Sequence, residues 1–275
     1  MEAERVVLQA RTLRVLVTGQ IAGAAALAAS VTVGAFVIQD LLGQDTPWGG
    51  VASATVTMGT AFMSQFLARV MSHRGRRGGL QMGYGLAVVG GVLAGLGVEM
   101  GSLWMFLGGL FLFGNGQASN LLSRYAATDL ALPTERSSAM SRILFASTFG
   151  AVFGPVLIRP AEEIGQNVFG WQQYTGPWIF AACFLALSWL NVTLRLRFDP
   201  LEASGGLARQ SASGFVRPKL SAIIGVVARS ADARLAMLSM VVSQMTMVAV
   251  MTMTPVHLKS HGHEAVSTLV ISLHI

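Results

Sequence analysis

Ser72-His73-Arg74-Gly75-Arg76-Arg77-Gly78-Gly79 is a short basic segment set between two long uncharged ones. From Thr46 to Ala68 there is no Asp, Glu, Lys or Arg, and from Gly78 to Val98 there is none either. A helix needs about 20 residues to cross the roughly 30 Å hydrocarbon layer of a bilayer, and each run supplies them. The segment therefore reads as a tight turn between two membrane spans. Arg69, Arg74, Arg76 and Arg77 are expected to hold it on the cytoplasmic side.

Composition points the same way. Hydrophobic residues make up 53% of the chain and charged ones 12%, with a mean hydropathy of +0.58. A soluble domain carries about twice that share of charge. The expected class is an all-α, multi-pass membrane protein. The net charge of +6 does not indicate nucleic acid, because the cations fall in alternate loops instead of forming one stripe. Cys183 is the single cysteine, which excludes a disulfide framework or a Cys-based metal site and reads as an inert buried thiol. The N-terminus carries Glu2, Glu4, Arg5, Arg11 and Arg14, and the apolar run behind it is too long for a cleavable signal peptide.

Further spans are expected over Val15–Gln39, Gly101–Ser123, Ser138–Ile158, Pro177–Leu194 and Leu235–Leu258, with a short apolar run at Ala265–Ile275. Glu99 marks a turn, and Glu162 and Glu163 lie in an outer segment. With the N-terminus inside, all but two of the 19 lysines and arginines fall on one side, the exceptions being Arg159 and Lys259. That asymmetry places the N-terminus in the cytoplasm. Trp48, Trp104, Trp171 and Trp178 then gather at the outer interface, where indoles prefer to sit. Between Arg195 and Arg234 lies a long basic stretch. Its first part is expected to be flexible from its Ser, Gly and Arg content, and Leu220, Ile223, Ile224 and Val227 recur at helical spacing, as in an amphipathic helix on the inner surface.

The basic turn resembles the motif that follows the second span of the major facilitator superfamily, Gly-x-x-x-Asp-(Arg/Lys)-x-Gly-x-(Arg/Lys)-(Arg/Lys). Ala68, Ser72, His73, Arg74, Gly75, Arg76 and Arg77 are set against it. Gly75 and the arginines carry the likeness, while Ala68 and Ser72 replace the motif's opening glycine and its acid. In the fifth span, Gly150, Gly154 and Pro155 resemble the Gly-x-x-x-Gly-Pro core of superfamily antiporters, with Ile158 where a further glycine is expected. Two glycines one turn apart let a neighbouring helix approach closely, and a proline bends its own helix. Ordinary small-residue packing gives the same pattern.

The resemblance implies a fold and a division of the chain. A six-helix transmembrane half spans 1–194, and a cytoplasmic inter-half loop with a surface helix spans 195–234. The start of a second half spans 235–275, with one complete and one partial transmembrane helix. It also implies inverted repeats within the first half, which no residue-level pattern displays. Eleven apolar residues from Ala265 are too few to cross a bilayer, so the expectation is a fragment or a chain completed by a second polypeptide supplying C-terminal spans.

Gln117, Asn120 and Arg124 share one face of the fourth span at i, i+3 and i+7, and such groups are expensive in lipid. Gln117 and Asn120, with Ser243 and Gln244 of the seventh span, are the expected substrate-cavity residues, against a reading as interhelical hydrogen bonds. Arg124 is either a snorkelling anchor or an inner-gate cation pairing with Asp129. By resemblance, Ser72, Gly75, Arg76, Arg77, Arg124 and Asp129 form a gating loop, to which Glu135, Arg136 and Arg142 add charge. No Asp, Glu or His lies in the middle of spans one to seven, so a proton-coupling group falls to Asp129, Asp40 or a residue beyond Ile275.

His257, His261, His263 and Glu264 cluster at an outer turn, where solvated loop histidines are the commoner reading than zinc ligands. No metal or cofactor is expected, and no catalytic set of an enzyme is present. The expected function is transport of a small molecule across the cell membrane by alternating access, nearest the efflux-type antiporters. The alternative is a truncated fragment that does not transport. The expected partners are the lipid bilayer, a small-molecule substrate and, as coupling ion, a proton.

Overall fold

A computed structural model of the chain describes residues 2–43, 47–206, 220–262, 266, 269, 270 and 273. Among them the structure is helical, without strands. Helix α1 is Glu2–Leu42, and a 3-10 turn at Pro47–Gly49 leads into α2, Gly50–Glu99. Helices α3 (Leu103–Ala126), α4 (Arg136–Val156), α5 (Ile158–Phe169) and α6 (Thr175–Arg195) follow. A single turn, α7 (Pro200–Ala203), ends the bundle. Beyond the undescribed residues 207–219 come α8 (Leu220–Arg229) and α9 (Ala231–Ser260). The short apolar run after Ala265 lies outside the described residues, apart from isolated helical positions.

Among the described residues, five helices are long and apolar enough to cross a membrane: Arg5–Leu42, Gly50–Glu99, Arg136–Val156, Thr175–Ala203 and Ala231–Ser260. The charge pattern predicts seven complete spans, and two features account for the difference. Helix α2 is 50 residues long, twice what one crossing needs. It reverses at Gly75, whose φ of 79° and ψ of 173° interrupt the helical backbone. The expected loop at 69–77 is thereby narrowed to one residue, with its flanking arginines helical. Helix α3 has 24 residues, length enough to span, but Asn115, Gln117 and Asn120 dilute its apolar character.

Gly75 is required twice over. Its φ lies where L-residues are strained, and a Cβ there would run into the carboxylate of Asp199. The two arms of α2, 50–74 and 76–99, both pack on α3. At one crossing a Cβ on Gly59 would strike the carbonyl of Phe111, and one on Gly114 would meet the backbone of Val56 and Thr60. Thr60 Oγ1 donates to Gly114 O at 3.0 Å across that seam. Lipid offers no hydrophobic drive for helices to associate, so backbone-to-backbone approach and such hydrogen bonds hold them together.

Helix α1 lies between α4 and α6. Asn191 and Ser188 of α6 donate to the carbonyls of Val15 and Gly19 at 2.7 and 2.9 Å. At the far end Glu99 accepts from Gln172 N and Thr175 Oγ1, both at 2.9 Å, tying the α2–α3 turn to the start of α6. One turn into α6, Trp178 is buried, and its indole meets Phe106 and Phe113 edge-on at 5.3 and 5.5 Å. Trp178 is thus packed inside the bundle near this end, whereas Trp48 and Trp104 are exposed. Cys183, expected to be buried, is exposed on the outer face of α6.

The outer segment after α4, marked in the sequence by Glu162 and Glu163, is helical. Leu157 turns the chain directly into α5, which buries Ile158, Ala161 and Gly165 on one face. Helix α8 forms where the apolar spacing placed it, with Ile223, Ile224 and Val226 uncovered by protein. Helix α9 starts at a Ser230 cap and contains Pro255. Most of its apolar side chains are exposed, and Thr252 and Pro255 are its buried residues.

Candidate substrate cavity and gating end

A cavity of about 350 Å³ opens between α1, α2, α3 and α9. Polar groups on its wall are Ser30, Ser53, Thr57, Thr60, Gln117 and Gln244, and the remainder includes Leu27, Val56, Leu110, Met247 and Met251. No charged side chain lines it among the described residues. A mostly apolar wall with a few converging polar groups is the usual chemistry of a small-molecule site.

Of the four cavity residues expected from sequence, the structure brings Gln117 and Gln244 together on this wall. The other two lie elsewhere. Asn120 is turned into the bundle, where its Oδ1 accepts from Tyr84 Oη at 2.7 Å and crowds Gly23. Beside it Ser123 donates to Gln20 Oε1 at 2.9 Å, so this face of α3 is a buried polar seam against α1 and α2. Ser243 is exposed on α9, away from the cavity. Ser53, Thr57 and Thr60 went unnoticed in the sequence. Their spacing of i, i+4 and i+7 puts them on one face of the second span, the signal that marks them.

At the end bearing Gly75, Arg76 and Asp129 form a two-point ion pair. Nε meets Oδ2 at 2.8 Å and Nη2 meets Oδ1 at 3.2 Å. Arg124, the partner suggested by sequence, makes no ion pair with Asp129, and its Nε is buried without a hydrogen bond among the described residues. Burial lifts the Asp129 carboxyl above its ordinary range, and the hydrogen bonds and charge of Arg76 pull it back only in part. Ser72 bonds locally to the carbonyl of Arg69 at 2.8 Å and supplies no charge.

The missing acid is replaced from another element. Asp199, just before α7, accepts from Arg77 N at 2.7 Å and from Leu201 N and Glu202 N at 3.0 and 3.3 Å. One carboxylate thus caps α7 and holds the turn at Gly75, and Arg77 also donates from Nη2 to Thr193 O at 3.0 Å. The hairpin therefore has a carboxylate, contrary to what its own residues suggest. Register needs a correction too. Counted from Gly75, Arg76 stands at the motif's variable position and Arg77 and Gly78 at its two terminal basic positions, so a single terminal arginine matches.

In α4, Gly150 and Gly154 face α1. A Cβ on either would strike the carbonyls of Ile21 and Ala25 respectively, and Pro155 is buried beside them, one turn before the chain bends into α5. The rings of His257 and His261 meet at a tilt of 46° with their centroids 4.3 Å apart. His263 and Glu264 lie outside the described residues.

The sequence model of the Major Facilitator Superfamily matches residues 15–274. The chain is 36% identical to the uncharacterized MFS-type transporter YdeG of Bacillus subtilis, an alignment covering 98% of this chain and 62% of that protein. It is 34% identical to YddS, another uncharacterized MFS-type transporter of the same organism, over 98% of this chain and 61% of the relative. The chain therefore spans about three fifths of the length of these relatives. With the membrane-spanning helical bundle and the Gly75 hairpin, these matches establish that the chain belongs to the major facilitator superfamily.

Proposed function

We propose that the chain forms the first six-helix half, 1–194, the connecting loop, 195–234, and the opening of the second half, 235–275, of a secondary transporter. In this reading it sits in the cell membrane with its N-terminus in the cytoplasm and moves an uncharged or weakly charged amphipathic molecule outward. The two halves rock around the cavity between α1, α2, α3 and α9. The observation that carries the reading is that cavity: set among the long apolar helices, mostly apolar-walled, and lined by the amides of Gln117 and Gln244 from two different parts of the chain. The close glycine crossing of α4 on α1 supports the antiporter branch. Asp129 and Asp40 are the described acids placed to exchange protons near either end.

Efflux of a neutral lipophilic dye, Nile red, from loaded cells expressing the protein tests it. Gln117→Ala and Gln244→Ala should each slow efflux several-fold at equal membrane abundance. Unchanged efflux in both variants removes the cavity from the transport path.

A further inference from the structure

Helix α9 is held to the bundle at one end only. Its contacts recur on a single face, at Gln244, Val248, Met251, Thr252, Val256 and Lys259. From Ala231 to Ser243 the helix is exposed almost throughout. The seam tightens toward Lys259. Ser53 and Thr252 hydroxyls meet at 3.0 Å, and Val256 packs over Gly49. Last comes a cluster that no part of the hairpin network touches. Lys259 Nζ lies 3.1 Å from Asp40 Oδ1 and donates to Tyr174 Oη at 3.2 Å. The same ammonium stands 4.9 Å from the ring centre of Phe36 and 5.3 Å from that of Tyr174.

Three features mark this as a built site. A cation between two aromatic faces and a carboxylate is bound by ring quadrupoles as well as by charge. Asp40 and Lys259 come from the last turns of α1 and α9, where the negative ends of both helix dipoles favour a cation. Tyr174, buried at 3% exposure, has φ 69° and is the one described residue other than glycine with positive φ. Such strain persists only where the surroundings over-determine it, and it gathers at clamps and switches. Here it turns the Tyr174 ring toward Phe36, at 5.8 Å between centroids, and toward Lys259.

We infer that Lys259, received by Asp40, Phe36 and Tyr174, is a latch that shuts the cavity at the end opposite Gly75 and opens when α9 swings away from α1. The inference rests on the alternating-access reading and adds the residue that closes this end. An exposed ion pair alone contributes little. The aromatic receptor and the hydroxyl make the latch specific for a cation held by this geometry.

Accessibility tests the latch without any transport assay. In a Cys183→Ala background, Gln117→Cys places a thiol in the cavity, and a membrane-impermeant maleimide is added to sealed vesicles from the Lys259 face or from the Gly75 face. Lys259→Met, close in length and apolar, should raise labelling from the Lys259 face at least about fivefold and lower it from the Gly75 face, the reciprocal signature of a shifted two-state equilibrium. Lys259→Arg should keep labelling from the Lys259 face slow, and the charge exchange Asp40→Lys with Lys259→Asp should not, because it sets a carboxylate against the ring faces of Phe36 and Tyr174. Equal labelling in wild type and Lys259→Met overturns the proposal. So does a rise from both faces, which is loss of structure and not opening. The expected labelling shifts together with no Nile red efflux by the wild-type protein would leave the latch standing and remove the transport reading.

Discussion

Asp199 shows how much one side chain can organise. It accepts hydrogen bonds from three backbone amides, two in its own helical turn and one 122 residues away in the hairpin. The local part is legible. Asp followed by Pro and then Glu is a helix-start signature: a capping oxygen, a residue pre-set for the first turn, and an acid near the positive end of the dipole. The distant part is not legible, because nothing in residues 195–203 indicates which turn the carboxylate reaches. Removing the side chain strands the amides of Arg77 and Leu201, at about 1–3 kcal/mol for a buried unsatisfied donor. Asp199→Ala should therefore lower the thermal midpoint of the detergent-solubilised protein by several degrees. Asp199→Asn, which keeps an acceptor oxygen, should recover most of the loss. Identical midpoints for wild type and Asp199→Ala would show that the turn stands without its cap.

Among the elements, α4 depends on its glycines to reach α1. Because a Cβ at Gly154 would meet the Ala25 carbonyl, which cannot yield as a flexible side chain does, a larger residue must push the helices apart. Overfilling a packed seam costs about 1–3 kcal/mol, and separating two helices in lipid also forfeits the dispersion contacts that hold them. Gly154→Leu should reduce the yield of monodisperse protein and its thermal midpoint. Phe153→Leu, at a neighbouring position exposed on the outside of α4, should change neither measurably. The glycine spacing was readable, as was the bend at Pro155. The partner helix was not, since the same pattern serves any close crossing. Likewise α5 follows the bend as a helix because Ile158, Ala161 and Gly165 fall on one face, a periodicity easily passed over beside the acids Glu162 and Glu163.

Across the whole molecule, an ion pair stands at each end: Arg76 with Asp129 near the hairpin, and Lys259 with Asp40 opposite. They differ in setting. Burial raises the Asp129 carboxyl above its ordinary value of 3.8, so folding favours its protonated form. Its contribution to stability is then full below the ordinary carboxyl range and declines as pH rises through the raised value. Between pH 4 and pH 7 the thermal midpoint of the wild type should fall relative to that of Asp129→Asn. A constant difference across that range would show that Arg76 compensates the burial fully.

What residue order determined by itself is the membrane architecture: uncharged runs long enough to cross, a basic turn between two of them, and cations gathered in alternate loops. Lipid enforces those features locally, since each span must satisfy its own backbone and each charge must find water. Which groups meet was decided only when the helices packed. Arg76 and not Arg124 took Asp129, Gln117 and Gln244 came to share a cavity while Asn120 turned toward Tyr84, and Asp40 received Lys259 from 219 residues along the chain. Those pairings follow from the rotation and tilt of each helix, which close glycine contacts between distant segments set and the spacing within any one segment does not contain.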